Sequence, residues 1–214
     1  MTSFTKVDID MRRRHTRWVL SNEERVHAVV MAAVNPKEGH RPLHRIDMTG
    51  DGRTVLYIVS DDEPNPYVLA RELGPSRTTG YEAFLARLDR GQEWRFRLKA
   101  NPTTSPDSHE KGVRGAHLPV LDMDGQLEWL ERRARINGFH IPTGRLGQPE
   151  TVILDSSKTT FHRKGHAVTL ASMTVRGILA IDDPDKMRNA LTHGIGRGKA
   201  YGFGLITLLP VGGN

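Results

Sequence analysis

The stretch HGIGRGKAYGFGLITLLP at residues 193–210 sets Gly194, Gly196, Gly198, Gly202 and Gly204 around Arg197 and Lys199. Glycine takes positive φ without a Cβ penalty and lets main-chain N–H groups approach a ligand closely. With cations between the glycines, the ligand that suits this spacing is a phosphate, held by Gly196 and Gly198 and by the Arg197 and Lys199 side chains. The plain alternative is a glycine-rich turn. Two nucleotide motifs are excluded. A Walker A loop needs Gly, four residues and Gly-Lys-Ser/Thr, but His193 stands five positions before Gly198 and Ala200 follows Lys199. A dinucleotide fingerprint needs a helix after the glycines and an acidic residue about 20 positions on. Here only an apolar run, Leu205 to Leu209, follows. The pairs His162/His166 and His40/His44 have H-x3-H spacing but no helical HExxH context, so chance spacing explains them and no metal site is assigned.

Composition favours an acidic partner. The formal net charge is +6 with a pI near 9.8 over 214 residues, enough chain for one large domain or two small ones. Nucleic acid ranks ahead of membrane, because no apolar run approaches the roughly 18 residues of a span. There are no cysteines, which excludes disulfides and thiolate metal sites and suits a reducing compartment. The opening MTSFTKVDIDMRRRHTRW alternates and then turns basic, without the apolar core of a signal peptide. The expected location is the cytoplasm.

The elements that must position the loop alternate between strands and helices. Phe4, Val7 and Ile9 predict a strand. Ser21 or Asn22 then caps a helix through Val26, Val29, Val30 and Ala33 that stops at Asn35-Pro36. Strands at 44–48 and 54–60 flank Thr49-Gly50-Asp51-Gly52, a hairpin signal. A loop at 61–66, an amphipathic segment at 81–88 and a strand at 93–100 complete βαββαβ, the ferredoxin-like order. The second half repeats the theme loosely. It has a polar stretch at 101–115, a helix over 127–136, β segments at 139–141, 152–154, 159–161, 168–173 and 177–181, a helix from Pro184 to Thr192, and a last strand.

Four separated stretches carry a family resemblance: the histidine in SNEERVHAVVMAAV, the FRLKANP strand at 96–102, LEWLERRARINGF at 127–139, and the terminal HGIGRGKAYGFGL. Together they resemble the CasE (Cse3) family, the CRISPR repeat-processing endoribonucleases of the type I-E Cascade complex. The resemblance implies an α+β fold of tandem ferredoxin-like, RRM-related domains, divided here into 1–92 and 93–214. It also implies cleavage of precursor RNA at the base of the repeat hairpin by 2′-hydroxyl attack, leaving 2′,3′-cyclic phosphate and 5′-hydroxyl ends. No metal or other cofactor is required, and the product RNA stays bound. Its implied partners are the repeat RNA hairpin and the other Cascade subunits.

The resemblance gives His27 its role as the catalytic imidazole; on spacing alone a histidine beside an apolar stripe reads as structural. Familiar members carry a tyrosine three residues earlier, where this chain has Glu24, and some carry a lysine five residues later, where it has Ala32. Glu24 shares a helix face with His27, so it either orients the imidazole and raises its pKa or stands as a solvated residue. The transition-state cation then falls to Arg17 or Lys199. Lys158, His162, Arg163 and Lys164 surround a turn whose counterpart in the family meets the RNA stem; an exposed basic hairpin is the alternative. Arg95, Arg97 and Lys99 share one strand face, either touching RNA or solvated. Arg132, Arg133 and Arg135 read as a solvated or partner-facing helix surface. A competing function is a non-catalytic RRM-like RNA-binding or scaffold subunit, because KAYGFG at 199–204 partly resembles the RNP1 signature, whose aromatics stack on bases.

Overall fold

Phe4, Val7 and Ile9 mark β1 (Ser3–Asp8), whose side chains alternate between buried and half-buried in the computed structural model. The structure describes residues 1–104, 118–145, 147–163 and 166–212. After β1 comes α1 (Arg14–Leu20) and then α2 (Glu23–Val34). Asn22 caps α2 by accepting the Glu24 N–H at 2.7 Å, and Asn35, at φ 46°, ends it in the left-handed region. The hairpin expected around Gly50 joins β2 (Leu43–Met48) to β3 (Thr54–Ser60). There follow α3 (Pro66–Glu72), β4 (Ser76–Gly80) and the single turn α4 (Glu82–Leu85).

These strands form an antiparallel sheet in the order β2-β3-β1-β4, the ferredoxin-like arrangement. Val26, Val30 and Ala33 of α2 pack with Val7, Leu56, Ile58 and Leu69 in its core. The route to the fourth strand differs from the sequence expectation. Asn65 and Pro66, read as loop, are the N-cap and first residue of α3. The strand that closes the sheet is Ser76–Gly80, paired to β1, and Glu93–Ala100 belongs to the other sheet.

That second sheet begins with β5 (Glu93–Ala100), followed by the short pair β6 (Thr103–Thr104) and β7 (Leu118–Pro119). Next comes α5 (Met123–Ile136), capped by Asp122, which accepts the Gly125 N–H at 2.7 Å. β8 (Phe139–His140), β9 (Thr151–Arg163) and β10 (His166–Ile181) follow, then α6 (Pro184–His193), a 3-10 turn at Lys199–Tyr201 and β11 (Ile206–Pro210). The four β segments expected between 152 and 181 are two long strands of one hairpin, with a register shift at Thr174/Val175. The sheet order is β11-β5-β10-β8, with β9 also on β10. The last strand again lies beside the first, as in the other sheet. Phe96 and Leu98 of β5, Val175 and Leu179 of β10, and Trp129 and Leu130 of α5 are buried.

Contacts divide the chain into two units: Met1–Leu88 with Arg188–Gly194 and Lys199–Leu205, and Asp89–Met187 with Ile195–Gly198 and Ile206–Asn214. Arg188 fastens the end of α6 within the first unit by donating to the Leu85 and Leu88 carbonyls at 2.9 and 2.7 Å. Among the described residues no helix is long and apolar enough to cross a membrane.

Candidate functional site

α2 buries Val26, Val29 and Val30, which leaves His27 half-buried at the edge of the apolar stripe. Behind it stands His44 of β2, fully buried, with ring centroids 6.0 Å apart and planes inclined by 22°. The glycine-rich segment closes on the same cluster. At Gly202, φ 74°, a Cβ would lie 3.7 Å from Glu23 Oε2 and equally close to His44 Nε2. A Cβ has room there, so it is the positive φ rather than crowding that calls for glycine at this position. Glu24 is exposed on the first turn, and its carboxylate makes no hydrogen bond or ion pair among the described residues.

Lys199 belongs to the same unit and is half-buried. Burial, and then the nearby Arg41 guanidinium, hold its ammonium below the ordinary lysine pKa. It lines a cavity of about 470 Å3 with Arg41, His193, Ser60 and the hydrogen-bonded pair His40 and Asp61. The loop's end is tied down by Arg45, only 1% exposed, whose Nη1 donates to the Leu205 carbonyl at 2.6 Å. Its Nε and Nη2 donate to both carboxylate oxygens of Asp47 at 2.9 and 2.8 Å. Sequence reasoning considered His44 only as half of a chance H-x3-H pair and passed over Arg41 and Arg45. The alternation of charged and apolar residues in LHRIDM concealed that His44, Arg45 and Asp47 are all buried.

In the second unit, Gly196 rests on the face of α5. With φ 80°, a Cβ there would approach the Trp129 ring to 3.0 and 3.2 Å. Arg133 lies over Trp129 at 5.5 Å. Its guanidinium is held below the ordinary arginine pKa by burial and then by Arg132 and Arg197, so Arg197 adds to a concentration of positive charge. Gly198 has φ 81°. Lys158 is exposed on β9 opposite Ala171. The backbone pairs His162 with Ala167 and Arg163 with His166, their side chains lying outside the described set. Lys164 lies outside the described residues. Arg17 is exposed, and its Nη1 donates to the Met11 and Arg12 carbonyls at 2.8 and 2.7 Å, bracing the approach to α1.

The RNP1-like reading of 199–204 loses its physical basis. Lys199–Tyr201 is a 3-10 turn rather than a strand, and Phe203 is buried, so these residues do not present two aromatic faces to bases. Among the described residues no group of three or more His, Cys, Asp or Glu is arranged to hold a metal ion.

Two units of antiparallel sheet and helices, the first in the ferredoxin-like strand order and carrying a half-buried imidazole on α2, define the class of fold. The chain belongs to the family described as CRISPR associated protein, which matches residues 4–210. It is 29% identical to the CRISPR-associated endoribonuclease Cse3 of Thermus thermophilus over 216 aligned residues, covering 96% of this chain and 99% of that one. It is 25% identical to the Cascade subunit CasE of Escherichia coli K12 over 126 residues, 54% of this chain and 57% of that one. The structure of Thermus thermophilus Cse3 bound to an RNA representing a pre-cleavage complex matches with a TM-score of 0.80 at 27% identity, covering 98% of this chain and 99% of that one.

Proposed function

We propose that this chain is an endoribonuclease that cuts CRISPR precursor RNA at the base of the repeat hairpin and keeps the product as a subunit of a Cascade complex. The observation that carries the reading is the half-buried His27 on α2, stacked on His44, in a chain that matches a named endoribonuclease over nearly its whole length. RNA cleavage without a metal needs a proton removed from a 2′-hydroxyl, a proton delivered to the departing 5′ oxygen, and positive charge around the phosphorane. The 2′ oxygen forms a bond to phosphorus as the bond to the 5′ oxygen breaks, giving a 2′,3′-cyclic phosphate and a 5′-hydroxyl. Imidazole titrates near neutrality, so His27 supplies one of these proton transfers. Lys199 is the cation the first unit offers to the phosphate, with Arg41 a second one beside it. Glu24 takes the position of the family's tyrosine; a carboxylate there repels phosphate, and it orients His27 only if RNA binding brings the two together.

The stem is read through charge and shape. An A-form stem exposes phosphates and hides base edges in a deep major groove, so cations dominate the contacts. Arg17, Arg197, Lys158, His162, Arg163 and Lys164 are the proposed side-chain contacts, with Gly196 and Gly198 allowing close backbone approach. A carboxylate at Glu24, where the family carries a tyrosine, favours one other reading, a subunit that binds repeat RNA without cutting it. Incubation with repeat hairpin RNA in excess EDTA separates the two. One cut leaving a 2′,3′-cyclic phosphate supports the endoribonuclease; stable binding of intact RNA supports the scaffold.

A further inference from the structure

Tryptophan is normally spent on the core, and Trp129, 2% exposed, follows that rule. Trp18 does not. α1 turns Thr16 and Val19 inward and leaves Trp18 53% exposed. The Arg25 guanidinium lies 4.1 Å from the Trp18 ring centroid, and its Nη1 donates to the Trp18 carbonyl at 2.9 Å and to Ser21 Oγ at 3.1 Å. The His15 ring sits 5.7 Å from Trp18, inclined by 30°, and is itself bonded to Glu72 at 2.6 Å. Three flat groups are therefore held in place before any ligand arrives, which lowers the ordering cost of binding.

Along α1 and its approach the sequence carries charge of one sign, with Glu72 the acid that meets it at His15. Residues 11–22 contain Arg12, Arg13, Arg14 and Arg17 and no acid. Arg13 and Arg17 direct N–H groups at the carbonyls of Ala70, Arg71, Met11 and Arg12, and carbonyls leave a guanidinium's charge in place. Only Arg12, paired with Asp10, meets a carboxylate among these four in the described contacts. An exposed indole backed by a cation, on a helix whose sequence and approach are rich in arginine, is complementary to a base with its phosphates. Bases inside a stem are already stacked, so the available base is an unpaired one.

We propose that Trp18, backed by Arg25, is a stacking platform for an unpaired base flanking the RNA stem. The inference rests on the RNA-processing reading above and adds a subsite to it. The test measures affinity by fluorescence anisotropy in a His27→Ala background, so that the RNA stays whole. The probes are a repeat hairpin with unpaired flanks, the same RNA with abasic flanks, and the blunt stem. Removing the flanking bases weakens binding by about five-fold or more, in line with one stacked base. Trp18→Ala abolishes the difference between flanked and abasic RNA while leaving blunt-stem affinity and thermal melting unchanged, and Trp18→Phe restores part of it. Equal affinity for flanked and abasic RNA, or a Trp18→Ala loss that is the same on all three RNAs, overturns the proposal. So does unchanged RNA binding with lost assembly onto partner subunits, which reassigns the corner to a protein. Failure to bind the blunt stem at all overturns the functional reading itself, whereas stem binding indifferent to flanking bases overturns the platform alone.

Discussion

Asp47→Ala tests whether the buried ion pair holds the loop's end. Arg45 is almost completely enclosed, and its charge-assisted hydrogen bonds include those to both Asp47 carboxylate oxygens and to the Leu205 carbonyl. Removing the carboxylate leaves a buried guanidinium without its counter-charge, and breaking a buried pair from one side costs about 3–5 kcal/mol. Against a typical total of about 5–15 kcal/mol this is a large fraction. Urea unfolding followed by circular dichroism reads it as a lower midpoint. The double variant Arg45→Met/Asp47→Leu recovers most of the loss, because two apolar groups strand no charge. Asp51→Ala, which removes the exposed partner of Arg53, serves as the control and shifts the midpoint little. An Asp47→Ala cost below about 1 kcal/mol, the range of surface pairs, would refute the reasoning, as would a double variant no better than the single one.

Gly196→Ala places a Cβ against the enclosed Trp129 ring at positive φ, so it destabilises by about 1–2 kcal/mol or more and perturbs tryptophan fluorescence. Gly147→Ala, at a similar φ with open space around it, shows the backbone part alone. Lys199→Met removes a charge that burial and Arg41 disfavour while keeping the side chain's bulk. It leaves stability unchanged or raised, within about 0.5 kcal/mol, yet weakens RNA binding, read by melting and anisotropy on the same samples. His15, and to a lesser degree Arg71, hold the Glu72 carboxyl below its ordinary value of 4.5. A depressed carboxyl stabilises above its unfolded pKa, and that contribution is lost as pH falls through the folded one. The difference in urea midpoint between wild type and Glu72→Gln is accordingly present at pH 7 and vanishes in acid.

Where one face of an element is buried, its period was readable. Val26, Val29, Val30 and Ala33 announced α2, and Asn22 and Asn35 its ends. The alternation of β5 announced the half-exposed cations of one face and the buried Phe96 and Leu98 of the other. α1 was hidden, because seven residues with two buried side chains make too short a stripe to stand out from the run of arginines. β4 reads SRTTG and pairs only with β1, so as an edge strand it needs no apolar alternation. Sheet membership is a matter of pairing, which is why element order counted Glu93–Ala100 into the first βαββαβ although the division at 92/93 set it with the second half. At the site, Gly202 and Gly196 were legible as positions needing positive φ. That Gly196 faces an indole, and that an imidazole backs His27, depends on packing no local spacing encodes.

The most direct test of the central claim compares wild type and His27→Ala on repeat hairpin RNA in excess EDTA, measuring single-turnover cleavage and affinity side by side. If His27 moves a proton in the reaction, cleavage falls by about 100-fold or more while affinity stays within about two-fold. Cleavage at the wild-type rate by His27→Ala would contradict the account, and so would a loss of cutting that merely tracks a loss of binding.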